Sequence, residues 1–160
     1  MKKFCAFVAC ALIVASCFGC KKDTRPADLP DDMSPCKITI TQDGQPVEGV
    51  TVELKYTTPV KYTTSGTTDA TGVATMVTYG FAGAQQGTAK VRVAKLVTEG
   101  AVEADENGNG GSVGEDFNVI DAQYGSFDTT PLEITVEKKN SVETFEVGPA
   151  VHDPVKKGRR

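Results

Sequence analysis

The chain has 160 residues, a formal charge of −4, one histidine and no tryptophan. That length is enough for one domain with a proper core after a leader is set aside. The acidic balance argues against nucleic acid and anionic lipid headgroups as partners, and a lone histidine (His152) leaves no zinc-type ligand pattern.

The first residues differ in kind from the rest. Lys2 and Lys3 precede an uninterrupted apolar run, Phe4–Val14, which has the length of a signal-peptide core and is too short to span a bilayer. The following Val14-Ala15-Ser16-Cys17 resembles the lipobox of bacterial lipoproteins: an aliphatic residue, two small ones, then the cysteine that is acylated. The resemblance implies a signal peptide over residues 1–16 and lipidation at Cys17. Cys20 is the alternative, with bulky Phe18 where Ala15 sits in the first register. Acylation would tether the chain to an outer or cytoplasmic membrane, with its domain in the periplasm or at the cell surface. Cleavage before Cys17 leaves 144 residues and a charge of −6. Cys5 and Cys10 leave with the leader, so Cys20 and Cys36 form an even pair in an oxidising compartment, a candidate disulfide.

Residues 17–35 read as a polar, proline-bearing flexible tether. From Cys36 the signal is strand after strand. Cys36–Thr41 alternates, and Asp43-Gly44 supplies the positive φ values of a primed hairpin turn. Val50, Val52, Leu54 and Tyr56 face one side of the next strand, with Thr51, Glu53 and Lys55 on the other. Tyr62–Thr67 is expected as an edge strand. The turn Asp69–Gly72 feeds a strand over Val73–Tyr79, and Thr88–Val97 places Ala89, Val91 and Val93 on its inner face. Residues 99–119 form a Gly-rich, acidic loop, and no Lys or Arg occurs from Leu96 to Glu137. Leu132, Ile134 and Val136 alternate, and Lys138–Ser141 turns the chain into Val142–Val147, with Phe145 and Val147 inward. Residues 149–160, with Lys156, Lys157, Arg159 and Arg160, read as a disordered basic tail. No segment keeps a helical period, so the expected fold is all-β: one antiparallel β-sandwich of about seven strands over residues 36–148.

Three segments carry a family resemblance: TQDGQPVEGVTVEL (Thr41–Leu54), GTTDATGVATM (Gly66–Met76) and GTAKVRV (Gly87–Val93). Together they resemble the carboxypeptidase regulatory-like, or transthyretin-like, β-sandwich domain. The tether RPADLP (Arg25–Pro30) and the closing segment Ala122–Val147 are similar to a group of planctomycete-type lipoproteins. The likeness runs from Arg25 to Val147, diverging over Glu99–Val119. The roles it implies are structural: Gly44 and Pro46 shape the first hairpin, Gly49 admits the second strand, and Asp69 and Gly72 make a turn. Enzymatic transthyretin-like proteins use histidine, arginine and a C-terminal Tyr-Arg-Gly-Ser signature that this chain lacks. Related iron dioxygenases need two histidine ligands.

Catalytic residues are therefore expected to be none, since only His152 is available to activate a serine. The one candidate metal site is for calcium. Asp105, Asn107 and Asn109 match D-x-[DN]-x-[DN]-G, Gly110 permits the sharp turn, and Asp116 falls at position twelve. Position twelve is shorter than the usual glutamate, and the same Asn/Asp/Gly run is the material of plain loops. The expectation is a non-catalytic envelope module with a membrane anchor, no required cofactor and an envelope protein or glycan as partner. A calcium-stabilised binding module is the alternative.

Overall fold

The computed structural model describes residues 25–103, 106–107 and 110–155. In chain order the strands are β1 Met33–Ser34, β2 Cys36–Gln42, β3 Gln45–Pro46, β4 Thr51–Tyr56 and β5 Thr64–Thr67. Next come β6 Val73–Thr75, β7 Val77–Thr78, β8 Phe81–Ala82, β9 Ala84–Gln85 and β10 Gly87–Ala94. Last are β11 Leu96–Glu99, β12 Glu115–Asn118, β13 Glu133–Val136, β14 Ser141–Glu146 and β15 Asp153–Pro154. The only helical turn among the described residues is a 3₁₀ segment, Ala122–Gly125.

Alternation builds a two-layer all-β sandwich. One layer runs β13-β10-β4-β5-β7-β8, antiparallel throughout; the other has β14 on one edge of β2, with β3 and β6 on the other edge. Ile38 and Ile40 of β2 meet Val52 and Leu54 of β4, Val91 and Val93 of β10, and Ile134 of β13 in one core, each 4% exposed or less. Burying such side chains contributes about 1.5–3 kcal/mol apiece. The strand expected over Val73–Tyr79 is divided because it serves both layers. β6 pairs with β2, β7 pairs with β5, and Met76 is buried at the corner between them.

The Asp43-Gly44 turn has the expected positive φ at both residues (51° and 72°). Three expectations need correction. The Thr-rich β5 is not an edge: it lies between β4 and β7, and its buried Thr64 hydroxyl meets that of Thr78 at 2.8 Å. β14 runs parallel to β2, because the short 137–140 connection carries the chain from one layer to the other rather than between neighbours. The expected tether also gives way to ordered chain well before residue 36. Leu29 is buried, and β1 pairs with β9.

The acidic loop and the tail are corrected together. β11 and β12 pair as a hairpin, extended by a bridge between Val102 and Ser112, and β15 adds to the outer edge of β12. Val155 N–H donates to the Asp116 carbonyl at 2.8 Å. The chain from 149 to 155 thus runs beside the hairpin, with Asp153–Pro154 as the third strand of a small sheet, and residues 156–160 lie outside the described residues.

Candidate functional site

Strand direction separates two surfaces. β4 ends at Tyr56 opposite Ala89, and the 57–63 loop follows. β10 runs the other way, from that end to Ala94 opposite Thr51, and continues past Lys95 into β11. The β11–β12–β15 arm therefore leaves the sandwich at the end away from the 57–63 loop. Ten residues separate Ala89 from Glu99, a span of about 33 Å at strand rise.

At the first end the segment leading from the N-terminus is fastened down. The Asp28 carboxylate accepts from the Lys61 ammonium and from the Tyr62 hydroxyl, the latter at 2.6 Å. These two donors, Lys61 foremost, hold the Asp28 carboxyl below the usual carboxylate range. Beside them lies an open groove of about 470 Å³ walled by Lys55, Pro59, Val60, Tyr62 and Phe127. Phe127 is clamped by cations: Arg92 lies 5.3 Å and Lys55 5.6 Å from its ring centre, and Lys90 donates to its carbonyl at 3.1 Å. Arg92 is itself held by a two-point bond to Glu53, at 2.9 and 3.0 Å. Glu53, bonded to Arg92, and Tyr62, bonded to Asp28, complete the polar side of the groove.

The arm shows what becomes of the residues proposed for calcium. Asp105 and Asn109 lie outside the described residues, and Asn107 sits in the turn at the hairpin tip. Asp116 is a strand residue opposite Thr98, whose hydroxyl donates to its carboxylate at 2.6 Å. The pairing of Leu96 with Asn118 is continued in register by Val102 with Ser112. Asp116 thus lies four residues, about 13 Å along the strand, below the last bridge before the tip. In such a loop the last ligand folds back onto the first; Asp116 is here a residue of β12, and its first-position counterpart Asp105 lies outside the described residues. Among the described residues no three His, Cys, Asp or Glu side chains gather as a metal site.

His152 is fixed rather than flexible. Its ring stacks on Phe117 with centroids 4.0 Å apart, and Nε2 lies 3.2 Å from a Glu99 carboxylate oxygen. Its recorded partners are a carboxylate and a phenyl ring, not a serine or threonine hydroxyl. Cys36 is a free thiol, 1% exposed, and burial pushes it up to about 11. Its proposed disulfide partner Cys20 and the proposed lipidation site Cys17 lie outside the described residues. Sequence reasoning missed the Tyr56 hydroxyl, which is buried with no hydrogen-bond partner of good geometry among the described residues. Strand alternation marks Tyr56 as a core residue, and nothing in that pattern reports on its oxygen.

No family model, curated protein or solved structure matches this chain.

Proposed function

We propose that this protein is a non-catalytic, lipid-anchored module of the bacterial cell envelope, a transthyretin-like sandwich held by its N-terminal segment and binding its partner with the opposite end. The observation that carries the reading is this polarity. The segment from Arg25 onward packs beside the 57–63 loop through Asp28, while the arm leaves from the far end of β10. The lipobox-like residues before Cys17 supply the anchor, and the likeness of Thr41–Leu54 and Gly66–Met76 to carboxypeptidase regulatory-like domains supplies the class. His152, whose ring nitrogen faces the Glu99 carboxylate and whose ring stacks on Phe117, has a packing role that fits a binding module.

The test is incorporation of an alkyne-tagged palmitate during expression in a bacterium, followed by membrane fractionation. The wild type labels and sediments with membranes, Cys17→Ala abolishes both, and Cys20→Ala leaves both intact. Loss with Cys20→Ala alone would move the anchor to Cys20. An unlabelled, freely soluble wild type would overturn the anchored reading.

A further inference from the structure

The outer face of β4 is where alternation sends polar residues: Val52, Leu54 and Tyr56 are buried, and Glu53 and Lys55 point away from the core. That face is nevertheless not left to water. The 57–63 loop brings Pro59, Val60 and Tyr62 to it, the chain after the 3₁₀ turn brings Phe127, and between them these side chains leave the groove of about 470 Å³. Apolar side chains that only cap a sheet close against one another, because packed protein leaves few voids larger than a water molecule. A groove of this volume has the size of a small-molecule site, about 300–1,000 Å³ across proteins.

The charges around the groove select its ligand. Lys55 and Lys90 stand directly opposite each other across the β4–β10 ladder, and Arg92 faces Glu53 in the same ladder. Like charges so placed destabilise a strand pair unless something offsets them. Arg92 is offset by its two-point bond to Glu53, which also cancels the one carboxylate on the groove wall. The Lys90 ammonium donates to the Phe127 carbonyl, and Lys61 and Tyr62 share Asp28. Lys55 is different. Its ammonium lies 5.6 Å from the Phe127 ring centre, and among the described residues no carboxylate comes within 4.0 Å of it. Neither Asp128, next to Phe127 in the chain, nor Glu133, opposite Lys90 in the β10–β13 ladder, is an exception. A lone cation on an otherwise apolar wall suits a ligand that is apolar along its body and negative at one end. A cationic ligand would meet Lys55, Lys90 and Arg92, and a wholly apolar one would leave the Lys55 charge unmet. The chain is acidic overall, but within a Debye length the nearest charges act, and here the uncompensated one is a lysine.

We propose that this groove is a binding site for a small monocarboxylate with an apolar body, which lies along Pro59, Val60 and Phe127 and sets its carboxylate on the Lys55 ammonium. The site stands where β4 leads into the 57–63 loop, at the end away from the arm, so it is additional to the surface that would meet a macromolecular partner. It does not depend on the lipid anchor. Palmitate incorporation and carboxylate binding are read separately, and either can fail alone.

The isotope-labelled full chain is titrated with octanoate, octanamide and octylammonium, which share an apolar body and differ in charge, and amide NMR shifts report where each binds. Octanoate should saturate at millimolar concentration, with shifts centred on residues 55–63 and Phe127. The amide should bind several-fold more weakly and the ammonium more weakly still. Lys55→Gln should weaken octanoate about three- to fivefold, the worth of a partly exposed ion pair, and leave the amide unchanged, while Lys55→Arg keeps most of the preference. Val60→Ser should weaken octanoate and octanamide alike. Added salt should narrow the gap between them. Melting curves confirm that the variants are folded. Four results would overturn the proposal: octanoate and octanamide bound equally, octanoate affinity unchanged in Lys55→Gln, shifts confined to other residues, or no saturable binding. Lys55-dependent retention on phosphatidylglycerol vesicles without octanoate binding would make a membrane surface the occupant and overturn it too.

Discussion

Gly72 is a core-edge position where the fold leaves no room for a side chain. It closes the Asp69 turn at φ +75°, donating its N–H to the Asp69 carbonyl at 2.8 Å and accepting from Ile40 N–H at 2.9 Å. A Cβ placed there would stand 2.8 Å from the Ile40 carbonyl oxygen and 2.8 Å from the Pro46 Cβ. The left-handed conformation alone costs an alanine about 1–2 kcal/mol. Relieving the contact must move Ile40, which is fully buried and held on its other edge by β14. That motion strains two backbone bonds, Ile40 N–H to Gly72 and Val47 N–H to Ile40, worth about 1 kcal/mol each. The smaller entropy of the unfolded alanine chain returns about 0.4–1 kcal/mol, so Gly72→Ala should cost about 2–3 kcal/mol. Gly44→Ala is the control: its φ is +72°, but a Cβ there meets nothing within 4 Å. Urea unfolding followed by far-ultraviolet circular dichroism measures both. A midpoint lowered by about 1 M or more in Gly72→Ala, with a much smaller fall in Gly44→Ala, is expected. Equal losses in the two variants would refute the steric part of the argument.

Tyr56→Phe removes a buried hydroxyl that has no partner of good geometry among the described residues and should be neutral or stabilising by about 1 kcal/mol in the same assay; a clear loss would reveal a hydrogen bond to that oxygen. Cys36, buried and with its thiol raised to about 11, should resist Ellman's reagent at pH 8 in the folded protein and react on unfolding in urea. Rapid reaction of the folded state, located by peptide mapping, would place the thiol outside the core. The carboxyls of Asp28, Asp69 and Glu146 lie below their ordinary values of 3.8, 3.8 and 4.5, held there foremost by Lys61, the Thr71 hydroxyl and the Thr41 hydroxyl. Because folding depresses these groups, the unfolded chain binds more protons in acid. Their contribution is complete above those ordinary values and is lost as pH falls through the lower folded ones. The urea midpoint should therefore be flat near neutrality and drop below about pH 4.5, with a shallower drop in Asp69→Ala. Arg92→Lys keeps the charge but loses the two-point bond to Glu53 and the guanidinium's place over the Phe127 ring. It should cost about 0.5–1 kcal/mol for this partly exposed pair, read as a lower melting temperature.

Much of the sandwich was legible because its strands are buried on one face only. Val50, Val52, Leu54 and Tyr56 alternate with polar residues in the sequence and are all buried in the fold, and Asp43-Gly44 announced its turn through backbone chemistry alone. The failures have one cause: the partner was not local. Whether β14 runs parallel or antiparallel to β2 depends on which layer the chain enters after residue 140, and the strand's own side chains are the same either way. β5 looks like an edge because threonine is polar, yet two buried hydroxyls satisfy each other across its ladder with β7. Leu29 and Met33 are single apolar residues in a polar stretch, and a single residue has no period to read. β15 is two residues long and contains a proline, so only its pairing with β12 identifies it.

The arm carries the same lesson into the site. Aspartate, asparagine and glycine at close spacing suit both a cation-binding loop and the tip of a hairpin, so composition alone does not decide between them. Register fixes which acids face each other from Leu96–Asn118 to Glu99–Glu115, and the isolated Val102–Ser112 bridge falls in the same phase. It pairs Asp116 with a threonine hydroxyl and sets Glu99 against Glu115. Opposed glutamates weaken a strand pair, and here the chain beside β12 brings the His152 ring nitrogen to 3.2 Å from the Glu99 carboxylate, so the arm's own third segment meets that charge.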